Sequence, residues 1–460
     1  MIDRRQLLTD LKPLVRVIED DLRGRLDTQS DYKAKLESDW GAARAAGRTA
    51  EAFAAWADAQ LTQSAVAWLL ACVFVRFCED NGLIDDALVA GNGERAQRAA
   101  ARQEAFYAQY PIAADNDYLR DVFAAAGKLP GLADVFRVQA SQLFAPISAD
   151  AAKRLVGFFR AIDADSGALK HDFADLAWNT RFLGDLYQDL SEAARDRYAL
   201  LQTPEFVEEF ILDRTLTPAL DAYTLEEVDL IDPTCGSGHF VLGAFSRLAP
   251  KWLNKEPGNA NVAIQHALDH IAGIDLNPFA VAIARFRLLV AALKAAGVTR
   301  LKAAPDFHLK IAVGDSLLHG FDQRDHARAQ IALGLDAPIQ TLTASPNTAN
   351  AERAHLYTHA FASEDLKAAN DILSHHYAVV VGNPPYIAVK DRAVSALYRE
   401  RYTTCHGKYA LVAPFCERFW ALARPVDATQ RGGFIGMIVA DSFMKREFGK
   451  KLVENFFPAH

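Results

Sequence analysis

The pattern of hydrophobic residues along the chain changes after Thr203-Pro204, and this change limits the possible folds more than any other feature. Before it, hydrophobic residues follow helical spacing; after it, short β-rich runs alternate with helical patterns. Such alternation favours parallel βαβ units with right-handed crossovers. We therefore expect an α/β fold, in which an all-helical N-terminal domain precedes a mostly parallel sheet. The predicted strands are 228–231, 271–275, 307–313, 377–381 and 433–439.

We place the helical domain at 1–197 and the α/β domain at 198–460. Weak periodicity at 321–362 predicts an insertion or a long surface loop within the second domain. A doubly wound sheet usually continues beyond a fifth strand, so we expect a truncated sheet and an N-terminal portion of a longer protein.

The most apolar run of the chain, 65–75, predicts a buried helix, because eleven residues cannot cross a bilayer. The first residues lack the apolar core of a signal peptide. We therefore expect a cytoplasmic protein without a membrane partner. The cysteines have no metal-ligand spacing, which favours reduced thiols and no metal site. They are Cys72, Cys78, Cys235, Cys405 and Cys416.

Charge is distributed unevenly along the chain. The formal net charge is -8, yet residues 381–460 contain twelve lysines and arginines against seven acidic residues. A surface that binds nucleic acid would therefore lie mainly in this C-terminal stretch.

A glycine-containing turn, Asp232 to Phe240, follows the first predicted strand and opens a helix. Gly236 and Gly238 allow the backbone to turn sharply and to approach a ligand closely. Asp232 can bind a polar or cationic part of that ligand. The strand–loop–helix context predicts a nucleotide-type cofactor site rather than a purely structural turn.

Two further acidic residues follow the next strands. Asp275 can accept hydrogen bonds from both hydroxyls of a ribose, or it can cap a helix. Asp315 can reach the amino group of an adenine, or it can cap a turn. The carboxyl ends of parallel strands meet at one edge of the sheet, where ligands of such folds bind.

The sharpest signal is Asn383-Pro384-Pro385-Tyr386, which follows the apolar strand 377–381. An amine on a nucleobase is a poor nucleophile, because its lone pair is delocalised into the ring. The Asn383 side-chain oxygen and the Pro384 carbonyl can accept its two N–H groups and direct the lone pair toward a methyl donor. Tyr386 offers a stacking face for a base rotated out of the duplex. The loop predicts methylation of a planar amine.

With these motifs, the chain resembles the N6-adenine DNA methyltransferases of the γ arrangement, in which the cofactor motifs precede the catalytic motif. The resemblance implies a Rossmann-like methyltransferase sheet, S-adenosylmethionine as cofactor and adenine in double-stranded DNA as substrate. Thr203-Pro204 resembles the Thr-Pro that lines the cofactor site in this family. The predicted catalytic residues are Asn383, Pro384, Pro385 and Tyr386. The predicted cofactor residues are Thr203, Pro204, Asp232, Pro233, Cys235, Gly236, Gly238, Phe240, Asp275, Leu276, Asp315, Ser316 and Asn383.

A closer resemblance, to the methyltransferases of phage-growth-limitation systems of the bacteriophage-exclusion (BREX) class, covers nearly the whole chain. It rests on the segments 1–5, 73–84 and 441–451. The resemblance implies that the protein marks host DNA within a phage-defence locus, with other proteins of that system as possible partners.

Cations that follow the catalytic loop are predicted to contact DNA phosphates, with Tyr398 and Tyr402 interleaved among them. The competing interpretation is a solvated helix face. The predicted contacts are Lys390, Arg392, Arg399, Arg401 and Lys408.

The loop alone leaves other substrates open. Methylation of a protein glutamine amide, of RNA or of cytosine N4 would use a similar arrangement, and a non-catalytic cofactor-binding subunit is also possible. We expect no nuclease before Gln202, because no Asp and Glu-x-Lys pair lies in a strand context there.

Overall fold

The computed structural model describes residues 3–133, 135–136, 145–190, 203–320, 365–426 and 431–459. The predicted insertion at 321–362 and the predicted boundary at 197–198 lie outside these residues. The N-terminal region is helical wherever it has regular structure, apart from one isolated bridge. Its helices are α1 (Arg4–Thr28), α2 (Ser30–Ala45), α3 (Phe53–Asp80), α4 (Glu94–Gln109), α5 (Asp115–Gly127), α6 (Ala149–Phe159) and α7 (Arg181–Leu190).

The second region contains a five-stranded sheet in the order β3-β2-β1-β4-β5, with every neighbouring pair parallel. Each predicted strand is present, with ends that move by at most three residues, and the predicted fold class is confirmed. The strands are β1 (Leu230–Asp232), β2 (Ile271–Asp275), β3 (Lys310–Val313), β4 (Val379–Gly382) and β5 (Phe434–Met437).

Helices cover both faces of the sheet, because successive side chains of a strand point to opposite sides. In β4, Val379 and Val381 belong to the large core shared with the N-terminal helices, whereas Val380 faces the second core. The helices on the first face are α8 (Glu205–Ala222), α9 (His239–Lys255), α10 (Ala260–Asp269) and α11 (Pro278–Ala295). Those on the second face are α12 (Leu366–Leu373), α13 (Arg392–Arg401) and α14 (Val412–Leu422). A short helix at Ser442–Lys445 and further helical turns follow β5.

Helix α3 is the centre of the helical region and joins it to the sheet region. Its Phe74 ring stacks on Phe286 of α11, with centroids 4.7 Å apart. Among the described residues, α3 alone is long and apolar enough to cross a membrane, but its apolar window is entirely buried inside the protein. The apolar run is thus part of a helix longer than its eleven residues suggest, and the predicted burial is confirmed.

A cluster of charged side chains lies inside this helical core. The Arg76 guanidinium has no exposed surface and contacts Glu79 at 2.7 Å and Asp80 at 2.6 Å. The second oxygen of Glu79 accepts the Val89 backbone N–H at 2.7 Å, and Asp80 accepts that of Phe173 at 3.0 Å. The three side chains therefore fix two distant backbone segments against the end of α3.

Candidate active site

A cavity opens at the carboxyl ends of β1, β2, β3 and β4, where the strand order reverses between β1 and β4. Ligands of open α/β sheets bind at this position. The side chains and backbone that line the cavity come from the loops at the four strand ends, from α9, α13 and α14, and from the residues just before α8 and α14. They are Thr203, Asp232, Pro233, Thr234, Cys235, Gly236, Ser237, His239, Phe240, Asp275, Leu276, Gly314, Asp315, Ser316, Asn383, Pro385, Ile387, Tyr398, Leu411 and Phe415.

The turn between β1 and α9 depends on its glycines. Gly236 and Gly238 have φ of 51° and 86°, a region that side-chain-bearing residues rarely adopt. A Cβ on Gly238 would also lie 3.0 Å from the Ala284 Cβ of α11. Gly238 thus lets the loop pack closely on the helix behind it, although it does not line the cavity itself.

Two carboxyl groups accept hydrogen bonds from this turn, the buried Asp232 at the end of β1 and the half-buried Asp275 at the end of β2. Asp232 accepts the Thr234 N–H at 2.9 Å, and Asp275 accepts the Gly236 and Asn277 N–H groups at 2.9 and 2.8 Å. Burial raises the pKa of Asp232 to about 8 and that of Asp275 to about 6, and the backbone donors oppose this only in part. Each carboxylate would therefore ionise more readily beside a ligand that supplies hydrogen-bond donors or positive charge.

The third carboxylate, Asp315, lies beyond β3. Its Oδ1 accepts the Leu317 N–H at 3.0 Å, and its Oδ2 accepts the Tyr398 hydroxyl of α13 at 2.7 Å. The neighbouring Ser316 hydroxyl donates to the Pro233 carbonyl at 2.6 Å. These contacts hold the third loop against the first.

Gly382, which ends β4 and precedes the catalytic loop, lies where no larger residue fits. A Cβ on Gly382 would lie 2.6 Å from Thr234 Oγ1, 2.7 Å from Asp232 Oδ1 and 2.8 Å from the Phe419 ring. β4 therefore approaches the first loop closely enough to place Asn383 in the cavity.

Asn383 is held from two sides. Its Nδ2 donates to Thr203 Oγ1 at 3.3 Å, and its Oδ1 accepts the Tyr386 hydroxyl. The oxygen predicted to accept a substrate amine is thus engaged within the loop in this structure. A substrate amine would have to replace the Tyr386 hydroxyl there.

Eleven of the thirteen predicted cofactor residues line this cavity. Pro204, Gly238, Pro384 and Tyr386 are near the cavity in the chain but do not line it. The lining residues that sequence reasoning missed are Thr234, Ser237, His239, Gly314, Ile387, Tyr398, Leu411 and Phe415. Several are immediate neighbours of the motifs, and that adjacency could have found them. Leu411 and Phe415 lack any such signal.

His239 is one of the cavity-lining residues that sequence reasoning missed. Its residue surface is 7% exposed, and neither ring nitrogen has a hydrogen-bond partner among the described residues. Burial lowers its pKa to about 3, so the imidazole is neutral at physiological pH. Within the described ranges no group of three potential metal ligands occurs, and the five cysteines are buried and unpaired.

The predicted DNA-contacting cations lie on and beside α13, outside the cavity. Arg401 is half-buried, and the other four are exposed; the exposed residues are Lys390, Arg392, Arg399 and Lys408. The Arg399 guanidinium stacks on Tyr409 and donates to the Gly407 carbonyl. The interleaved Tyr398 and Tyr402 are buried, and the Tyr402 hydroxyl donates to the Leu317 carbonyl at 2.9 Å. These two rings therefore face the protein interior.

The parallel sheet, the glycine turn and the Asn-Pro-Pro-Tyr loop at the reversal of strand order define a methyltransferase-like α/β domain. Residues 269–457 match the family model of the Eco57I restriction-modification methylase. The chain is 46% identical, over 99% of its length, to the adenine-specific methyltransferase PglX of Streptomyces coelicolor. The resemblance found in the sequence is thereby confirmed.

The chain covers 37% of that PglX protein, and so spans well under half its length. The type II methyltransferase M.PaeR7I of Pseudomonas aeruginosa is 24% identical over 57% of this chain and 35% of its own length. Among solved structures, a DrdV–DNA complex aligns with 96% of this chain and 35% of its own chain, at 14% identity and a TM-score of 0.49.

Proposed function

We propose that the protein transfers a methyl group from S-adenosylmethionine to N6 of an adenine rotated out of DNA. One observation carries the proposal: Asn383 of the catalytic loop and three strand-end carboxylates line the same cavity. The similarity to an adenine-specific methyltransferase supports adenine as the target base. We further propose that the modification marks host DNA in a phage-defence system, that other proteins of that system are partners, and that the protein acts in the cytoplasm.

The residues of the cavity fit the proposed cofactor. Asp275 can accept the ribose hydroxyls, and Asp315 can accept the adenine amino group, because each carboxylate has acceptor positions beyond those used by its backbone donors. Asp232, with a pKa raised by burial, gains stabilisation from a positively charged ligand. The bound cofactor supplies the electrophilic methyl group.

The substrate amine is held by the loop after β4. The Asn383 oxygen and the Pro384 carbonyl accept its two N–H groups, which turns the nitrogen lone pair toward the methyl group. The Tyr386 hydroxyl leaves Asn383 when the base enters, and the Tyr386 ring stacks on that base. Holding amine and methyl in line supplies much of the rate, so a strong general base is not required.

The experiment is methyl transfer by the intact protein from labelled S-adenosylmethionine to DNA, RNA and protein substrates. We expect label on N6 of adenine in DNA, and a loss of at least about a hundredfold for Asn383→Ala. Asn116→Ala, which removes a half-buried asparagine of α5 far from the cavity, is the matched control. Label in RNA, in a glutamine amide or on cytosine would overturn the proposed substrate. Undiminished transfer by Asn383→Ala would overturn the mechanism.

The DNA surface is tested separately by charge reversal on α13. Arg399→Glu combined with Arg401→Glu should weaken DNA binding and reduce its dependence on salt, because two phosphate contacts are lost. The control reverses two exposed cations of α6, Lys153 and Arg154, which changes the net charge equally at another surface. Equal affinities for the two double variants would contradict the proposed interface.

A further inference from the structure

Tyr398 is a cavity residue that belongs to neither the cofactor motifs nor the catalytic loop. It lies in α13, is 5% exposed, and lines the cavity. Its hydroxyl donates to Asp315 Oδ2 at 2.7 Å, although 83 residues separate the two in the chain. The bond therefore depends on how α13 packs against the end of β3.

We propose that Tyr398 is the positioning residue that makes the cavity selective for adenine-containing cofactors, by fixing the Asp315 carboxylate toward the 6-amino group. The inference rests on the proposed function, in which Asp315 accepts that group. With Oδ1 held by the Leu317 N–H and Oδ2 held by Tyr398, the carboxylate has no freedom to rotate.

The chemistry of the pair favours recognition of a hydrogen-bond donor. A carboxylate has about four acceptor positions, and among the described residues one on each oxygen of Asp315 is in use. Burial and the negative charge of Asp315 raise the pKa of Tyr398 well above its usual value, so its hydroxyl remains a donor. The fixed carboxylate then presents only acceptors to the cavity, which suits an amino group and not a bare ring C–H.

The helix that carries Tyr398 is anchored at its start. Asp391 caps α13 by accepting the Ala393 N–H at 2.9 Å. The other oxygen of Asp391 accepts the Ala50 N–H, at 2.6 Å, from the connection between α2 and α3. The helical region thus helps to set the position of Tyr398, which lies seven residues further along α13.

The test uses Tyr398→Phe, which removes the hydroxyl and leaves the ring. We would measure the dissociation constants of S-adenosylhomocysteine and of its analogue that lacks the 6-amino group. The wild-type protein should prefer the amino compound by about tenfold or more, as expected for a hydrogen bond to a charged acceptor. Tyr398→Phe should lose most of that preference by weakening the amino compound alone. An unchanged ratio of the two constants would overturn the proposal.

A matched control is available on the same helix. Tyr402 is equally buried, and its hydroxyl donates to the backbone carbonyl of Leu317 rather than to a carboxylate. Tyr402→Phe should keep the wild-type ratio; a loss as large as that of Tyr398→Phe would show a general packing effect and would also overturn the proposal. Replacing Tyr398 with 4-aminophenylalanine, which restores a donor, should restore selectivity, and failure to do so counts against it.

Asp315→Ala, which removes the acceptor oxygens, separates this inference from the function on which it rests. If Asp315→Ala abolishes the preference and Tyr398→Phe does not, the positioning role is wrong and the cofactor assignment stands. If Asp315→Ala leaves the preference intact, the proposed cofactor orientation itself fails. If Tyr398→Phe does not fold, 4-fluorophenylalanine at the same position fills the space of the hydroxyl without donating a hydrogen bond. The ratio of the two dissociation constants in that variant then tests the proposal in the same way.

Discussion

Two regions of this protein bury carboxyl groups, and they do so in opposite ways. In the helical core, Glu79 and Asp80 share the Arg76 guanidinium, which has no exposed surface. At the edge of the sheet, Asp232 is buried and Asp275 is half-buried, yet among the described residues no lysine or arginine forms an ion pair with either. Within the described part of the chain, only hydroxyl and backbone N–H groups donate hydrogen bonds to these two carboxyls.

The difference separates a structural cluster from a binding site. A buried charge is costly unless it is paired, so the Arg76 cluster carries its own compensation and needs no ligand. Burial raises the pKa of all four carboxyls, but the Arg76 guanidinium opposes this rise only for Glu79 and Asp80. The sheet-edge carboxyls have no such cation, and only hydrogen-bond donors oppose the rise there. We infer that the missing partner is the cofactor, which would arrive with donors and positive charge.

The largest effect is expected when Arg76, the cation of the helical cluster, is removed. Arg76→Ala should lower the free energy of unfolding by about 3–5 kcal/mol, because two carboxylates are left buried without their cation. Urea denaturation measures the loss. The exposed pair of Arg23 and Asp58, 2.8 Å apart, is the control, and Arg23→Ala should cost less than about 1 kcal/mol. Similar losses in the free energy of unfolding for both variants would contradict the proposed role of Arg76 as the cation that compensates the buried carboxylates.

The second test adds the cofactor, which we infer to be the missing partner of the sheet-edge carboxyls. S-adenosylmethionine at a hundred times its dissociation constant should stabilise the protein by about 2.7 kcal/mol. Asp275→Asn should weaken the proposed contact with the ribose, so the same concentration should give a smaller rise in melting temperature. Calorimetry with and without ligand measures both. An identical rise in the two proteins would show that Asp275 does not meet the ligand.

A third test concerns the ligand-free protein. Burial raises the pKa of Asp232 to about 8 in the folded protein, well above its usual value of 3.8, so the folded state holds its proton more tightly. Stability is therefore lost as the pH rises from about 4 toward 8. Asp232→Asn, which mimics the protonated group, should raise the free energy of unfolding at pH 7 by up to about 4 kcal/mol and flatten this pH dependence.

Three residues earlier, Asp229 provides the opposite case. It is partly exposed and forms an ion pair with Arg424 at 2.8 Å, so Asp229→Asn should destabilise the protein. The two substitutions are chemically identical, and a change of the same sign for both would refute the distinction between paired and unpaired carboxyls.

The smallest expected effect is the pH dependence of binding. Asp275, with a pKa of about 6, accepts ribose hydroxyls best when ionised, so affinity for S-adenosylhomocysteine should fall by about tenfold between pH 7 and pH 5. Titration calorimetry at several pH values measures the slope. In Asp275→Asn, the loss of affinity between pH 7 and pH 5 that is due to Asp275 should disappear. If the affinity of this variant falls as much as that of the wild-type protein, another group is responsible for the pH dependence.

Much of this arrangement could be predicted from the sequence, because it is encoded locally. Strands and the helices after them follow from short hydrophobic patterns, and the loops at Asp232, Asp275, Asp315 and Asn383 each lie directly after a strand. Once the strands are parallel, those loops must meet at one edge of the sheet. The order of motifs and the fold class thus followed from residues that are neighbours in the chain.

The tertiary structure decided which side chains complete the cavity and which charges are compensated. Tyr398 reaches Asp315 across 83 residues, and the Tyr386 hydroxyl occupies the Asn383 oxygen that a substrate amine would need. The first contact has no local signature, since it depends on the packing of α13. The second joins residues only three apart, but the path of the loop after β4 decides whether they meet. The same holds for Arg76, whose carboxylate partners also bind the backbone of distant segments. Local patterns specify elements and strand ends, whereas the contacts between them are set only when long-range packing brings the elements together.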